Sequence, residues 1–180
     1  DINLWLMNSD RERKSFPSPR SADSQVFDED FEKAEVLFEA KEFGEAIPLY
    51  CSAAEHGNRD AQLKLCQVLY DHTVSFDCLS DELWEKIATL AAEGLEYANF
   101  MMHCKYYDDA SRMKESFDYV HRATKNSSIP LAFVRLGISY GWGLGVKLNK
   151  TLANHYYQKA IGLGCKEAYS YIGQEYEYES

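Results

Sequence analysis

Gly141-x-Gly143-x-Gly145 is the first place in this 180-residue chain where chemistry is worth seeking, because closely spaced glycines let backbone N–H groups cradle a phosphate. A phosphate loop needs a strand before it, a helix opening directly on it and G-x-G-x-x-G spacing. Here a helical pattern precedes the glycines and the spacing differs, so they read as a loop between two helices. The five histidines, at 56, 72, 103, 121 and 155, form no H-E-x-x-H and no paired Cys/His ligand spacing. His103 and Cys104 are adjacent, and consecutive helical residues point about 100° apart, which makes them poor co-ligands. A Cys–His nucleophile pair would have to be assembled from distant parts of the chain, and nothing singles one out. Glu175, Glu177 and Glu179 alternate along the terminal segment and read as a solvated charged end. No catalytic residue, metal or cofactor is expected.

Five cysteines (51, 66, 78, 104 and 165) are an odd number, widely spaced and without a CxxC. They read as reduced, mostly buried thiols, which places the chain in a reducing, cytoplasmic compartment. The alternative is one or two disulfides between neighbouring helices in a periplasmic or secreted protein. The opening Asp-Ile-Asn-Leu-Trp-Leu-Met has no basic region followed by a long apolar one, so no signal peptide is visible; the chain also starts without Met, which leaves its secretory history open. No apolar run approaches the roughly 18 residues that span a bilayer. The net charge of −10, from 19 basic and 29 acidic residues, argues against nucleic acid, whose phosphates need a basic footprint. At 46 % hydrophobic and 14 % aromatic, the chain has enough apolar material for a core.

The elements that would position any site begin after an arm. Arg11 to Arg20 holds four basic residues and two of the four prolines, which forbid a regular helix there. Residues 1–27 therefore read as an arm or linker following a short apolar segment, Ile2–Met7. Ser15 and Ser18 lie among Arg, Lys and Pro, a setting that suits phosphorylation. From Asp28 the texture turns helical, and Asp28-Glu-Asp30 suits a helix N-terminus. Strand signals are absent. Pro48 and Pro130 fit first helical turns.

Internal repeats set the architecture. Ala53–Ala61, Leu90–Ala98 and Ala160–Ala168 each place a Gly four residues before an Ala. The leading alanines 61, 98, 132 and 168 are spaced by 37, 34 and 36 residues. The Gly ends one helix at positive φ, and the Ala opens the next where two helices approach closely. Core anchors follow four residues later (Leu65, Met102, Leu136, Ile172) and eight later (Leu69, Tyr106, Tyr140, Tyr176), on one helical face. Second helices carry stripes such as Ala46, Tyr50 and Ala53, or Ala153, Tyr157 and Ala160. Asn58, Ser80, Ser111 and Asn149 are placed as N-caps.

Leu136-Gly137, Tyr140-Gly-Trp-Gly143-Leu-Gly145-Val146, Asn149 to Ala153, Tyr156 to Ala160 and Gly164 to Ala168 together resemble one complete Sel-one-like repeat (SLR), a relative of the tetratricopeptide repeat. The other units are degenerate: residues 31–60 have a short turn at Glu42–Gly44, residues 61–97 a glycine-poor connection at Asp71–Leu79, and residues 98–131 an extra residue near Ser128. The resemblance implies an all-α fold over 28–180, an α-solenoid of about four stacked helix–turn–helix repeats with a C-terminal capping helix. It implies binding of a protein or peptide and names no partner.

First helices line the inner side of such a solenoid. The residues three and seven positions after the leading alanines make the candidate partner-binding row: Lys64, Met101, Lys105, Arg135, Ser139 and Tyr171, with Val68 and Glu175 at equivalent places. Basic groups on such a wall suit a carboxylate-bearing peptide. Eleven of the thirteen tyrosines lie between 97 and 178, where they serve packing or recognition. The resulting expectation is a non-enzymatic interaction module, an adapter or regulator. The alternative is an immunity-type inhibitor whose acidic surface is steered onto a basic toxin.

Overall fold

The computed structural model describes the backbone of residues 22–174 and the side chains of residues 29–172; most of the arm, with Ser15 and Ser18, and the segment holding Glu175 and Tyr176 lie outside the described residues. Among the described residues nine α-helices follow one another: α1 (Ala22–Glu39), α2 (Phe43–Glu55), α3 (Arg59–Tyr70), α4 (Asp81–Ala92), α5 (Glu96–Tyr106), α6 (Met113–Arg122), α7 (Pro130–Trp142), α8 (Lys150–Gly162) and α9 (Tyr169–Gln174). No strand occurs among the described residues. The fold is an all-α solenoid of four helix pairs, with α9 packed on α8 as a cap.

The local signals work as their chemistry requires. Gly57, Gly94 and Gly164 sit at φ 92°, 96° and 86° just past α2, α4 and α8, where a side chain would be strained. The leading alanines 61, 98, 132 and 168 are all fully buried. Asn58, Ser80 and Asn149 accept hydrogen bonds from the backbone N–H of Ala61, Leu83 and Leu152 at 2.9, 3.2 and 3.0 Å. Ser111 does not cap α6. It lies inside a 3₁₀ turn that Asp109 caps by accepting the Ser111 N–H at 2.9 Å, and α6 itself starts from Arg112 with no side-chain cap.

Two boundaries and one proline differ from expectation. α1 starts at Ala22, so Asp28–Asp30 lie within a helix rather than at its mouth. The first turn is residues 40–42, closed by Lys41 at φ 64°, and α2 therefore begins at Phe43. That start puts Pro48 in the second turn of α2, while Pro130 does open α7. Pro48 has no N–H for the Gly44 carbonyl, and exposure of Gly44 lets water replace that bond.

Packing is tightest in the last pair. A Cβ at Gly137 would stand 2.5 Å from the Tyr157 ring, so only glycine admits this α7–α8 crossing. In the second pair, by contrast, α3 packs mainly against α2 and α5 and reaches on to α7, rather than closing on α4. The ten-residue link 71–80 separates them. Two helices are enclosed as a result: every residue of 96–104 in α5 and of 131–139 in α7 is buried. A helix buried all round lies in an interior, not on a wall.

Candidate partner-binding surface

Each member of the row has a definite place. Lys64 on α3 is half-buried, pairs with Glu35 at 3.2 Å and lies 4.4 Å above the Phe38 ring, both on α1. Glu35 also accepts a 2.5 Å hydrogen bond from the Tyr50 hydroxyl. Lys105 on α5 is half-buried and stands 4.5 Å from the Trp84 ring. Burial holds its ammonium below the usual range, with Asp81 pulling it back up.

Arg135 on α7 is only 6 % exposed. Its guanidinium lies between the rings of Tyr70 (4.6 Å) and Tyr107 (4.2 Å), and one N–H donates to the Tyr70 carbonyl at 3.4 Å. No carboxylate pairs with it among the described residues. Cation–π contact on two faces is what compensates a charge withdrawn from water. Tyr171 closes the group: its hydroxyl is 3.4 Å from that of Tyr70 and its ring stacks on Tyr157 at 5.4 Å. The Arg135 cluster thus joins the second, third and fourth pairs and the cap.

Met101 and Ser139 are core residues. Met101 is fully buried, and Ser139, 2 % exposed, donates to the Arg135 carbonyl at 3.0 Å. Neither offers a side chain to a partner, because both lie in the enclosed stretches 96–104 and 131–139. The accessible part of the row is Lys64, Lys105 and Tyr171.

His103 lies beneath this cluster. Its Nδ1 is 3.1 Å from the Ser116 carbonyl, to which it can donate, and Nε2 has no partner among the described residues. Burial, then the charge of Arg135, pushes its pKa down to about 3, against the hydrogen bond to Ser116. Burial pushes the thiols of Cys51, Cys104 and Cys165 up to about 12 and Cys66 well above its ordinary range. Such groups are thiols rather than thiolates at neutral pH and act as small apolar side chains. All five cysteines are free, and only Cys78 is exposed.

Beside the first helices runs an apolar groove of about 200 Å³, lined by residues that include Leu63, Cys66, Leu131, Leu163 and Cys165. That is below the roughly 300–1,000 Å³ of small-molecule sites. It accommodates one side chain better than a cofactor. The 141–145 glycines form the expected loop: Gly143 ends α7 at φ 68°, and Gly145, at φ 71°, lies against the Met113 carbonyl.

No family model matches the chain, and no curated protein matches it. Among solved structures it is similar to c5321, described as a protective antigen present in uropathogenic Escherichia coli strains and displaying an SLR fold. The likeness covers 83 % of this chain with a TM-score of 0.58 and 23 % identity. The chain has the SLR fold. It spans only about a third (33 %) of the c5321 chain, so the likeness carries the architecture and not an activity. The sequence match centred on α7–α8 and the paired-helix architecture agree with this fold. No helix among the described residues is long and apolar enough to cross a membrane.

Proposed function

We infer that the chain is a non-enzymatic protein-interaction module, an adapter or regulator, that receives an acidic protein or peptide segment along the rim formed by Lys64, Lys105 and Tyr171. One observation carries this reading. On three successive first helices a cation lies over an aromatic ring, at 4.4 Å (Lys64 on Phe38), 4.5 Å (Lys105 on Trp84) and 4.2 Å (Arg135 on Tyr107). The two lysines are held in place by their rings, Lys64 also by Glu35 at 3.2 Å, while part of each stays open, which reduces the ordering cost of meeting a further carboxylate. Arg135, being buried, sets the wall behind them.

Capture of the partner from the native cell, its identification and its titration test the reading. Lys64→Glu with Lys105→Glu is expected to weaken binding at least tenfold with the helical signal intact. Unchanged affinity overturns the assignment of this rim. Arg135→Glu is not informative here, since it puts a carboxylate into an interior.

A further inference from the structure

The charge of this chain is unevenly placed. Residues 119–166 contain no Asp or Glu and hold seven Lys and Arg. Taking those seven from the 19 basic residues leaves 12 against 29 acidic ones, so the remainder carries −17. The acid-free stretch includes all of α7 and α8.

Of the five exposed large apolar side chains among the described residues, Trp142, Leu148 and Leu163 fall in that stretch, and Val36 and Tyr169 lie outside it. At the α7–α8 corner Trp142 is 68 % exposed and Leu148 55 %. The two are close, because Leu148 Cβ lies 3.5 Å from the position a Cβ on Gly143 would take. Lys147 and Lys150 are exposed beside them, and neither forms an ion pair among the described residues. The start of α6 abuts the corner through Gly145, and its acids are already matched: Glu115 by Arg112 at 2.8 Å, Asp118 by Lys114 at 2.5 Å. On α1, Val36 is 68 % exposed. Glu29, Glu32 and Glu39 share its face at helical spacing, and the one cation there, Lys33, is 4.0 Å from Glu29.

We propose that the Trp142–Leu148 corner of one molecule docks on the Val36 face of α1 in a second copy of this chain. Each patch has an apolar centre and a charged rim, the anatomy of an interface. The rims are opposite in sign, so approach is steered and register fixed. A second copy is the occupant because it carries the complementary patch itself. Two different surfaces meet, so the contact is heterologous: copies add head to tail, each addition leaving one patch of each kind free until the rotation between copies closes a ring. This contact is separate from the Lys64–Lys105 rim and does not depend on it.

Sedimentation equilibrium of the full 180-residue chain tests it. At low salt the average mass is expected to rise steadily with protein concentration, and about 1 M salt, with a screening length near 3 Å, to return it to the monomer. Lys147→Glu with Lys150→Glu, and separately Glu32→Lys with Glu39→Lys, should each weaken association at least tenfold with circular dichroism unchanged. An equimolar mixture of the two variants should regain it, since each restores the pairing the other lost. A monomer at every concentration overturns the proposal. So does association that only the lysine reversals weaken, which would assign the corner to a different acidic surface of the chain.

Discussion

The second and fourth helix pairs obey the same repeat logic and end differently. In the fourth, glycines at 137, 143 and 145 let α7 and α8 come within reach of a tyrosine ring and return the chain through a seven-residue loop. In the second, no glycine lies between α3 and α4, the link is ten residues, and α3 is free to spread over α5 and toward α7. Contacts far apart in sequence then replace the missing pair: Tyr70 with Arg135 and Tyr171, and Gln67 with Glu167 at 3.5 Å. A strict repeat makes a local pair. A relaxed one supplies a helix that ties the stack together and covers its inner side.

A single methyl group should separate the two pairs most sharply. Gly145 and Gly94 share positive φ, at 71° and 96°. A Cβ at Gly145 would fall within contact of the Met113 backbone carbonyl, whereas at Gly94 nothing lies within 4 Å. Gly145→Ala adds overpacking to strain and should cost about 2–5 kcal/mol in chemical denaturation. Gly94→Ala, with strain alone, should cost about 1 kcal/mol. Equal losses would mean that backbone conformation, not packing, distinguishes the fourth pair.

The cluster on which the second pair depends should report itself through pH. His103 titrates near 3 when folded, against an ordinary 6.5. Between these values the unfolded chain binds the extra proton, so stability rises with pH across that window and falls as pH drops from 6.5 toward 3. The slope from this one group is at most about 1.4 kcal/mol per pH unit. His103→Gln should remove that part of the acid dependence in urea titrations between pH 4 and 6.5. Arg135→Met should raise the His103 pKa, read by NMR, because the guanidinium charge helps depress it. No movement would show that Arg135 does not lie against the imidazole.

What could be read in advance was whatever is local and periodic. The alanine columns, the glycine stops and three of four proposed caps depend on neighbours within a few residues, and they stand as expected. Burial of Met101, Arg135 and Ser139 depends on how strongly the stack curls. That curl follows from the Asp71–Ser80 link and from Tyr70 meeting residues far along the chain, which no spacing rule registers. Pro48 was misplaced because a turn closed by Lys41 at positive φ starts α2 earlier than the apolar stripe does. The lysine–ring pairs were hidden for a related reason: helical spacing assigns a face, and the ring on the neighbouring helix decides what a cation on that face meets. The acid-free stretch needs only a window count of charge, a signal that net charge conceals.

The two connecting loops should differ least in stability, and in the opposite sense to their lengths. Two glycines inserted between Val74 and the exposed Ser75 lie beyond the Thr73 N–H to Val68 carbonyl bond (3.0 Å) that closes α3, and lengthen a link that does not hold α3 and α4 together. Loop entropy grows only as the logarithm of length, so the cost should stay below about 0.5 kcal/mol. The same insertion between Lys147 and Leu148 acts on a loop whose ends are fixed, with the Leu144 N–H on the Ser139 carbonyl and the Asn149 N–H on the Tyr140 carbonyl, both at 2.8 Å. Losing the second of these should cost about 0.5–1.5 kcal/mol. A second-pair insertion that costs as much as the fourth-pair one would mean that the long link is itself a fixed part of the core, held by Val74 and Leu79, which are 2 % and 6 % exposed, rather than the slack that lets α3 cross the stack.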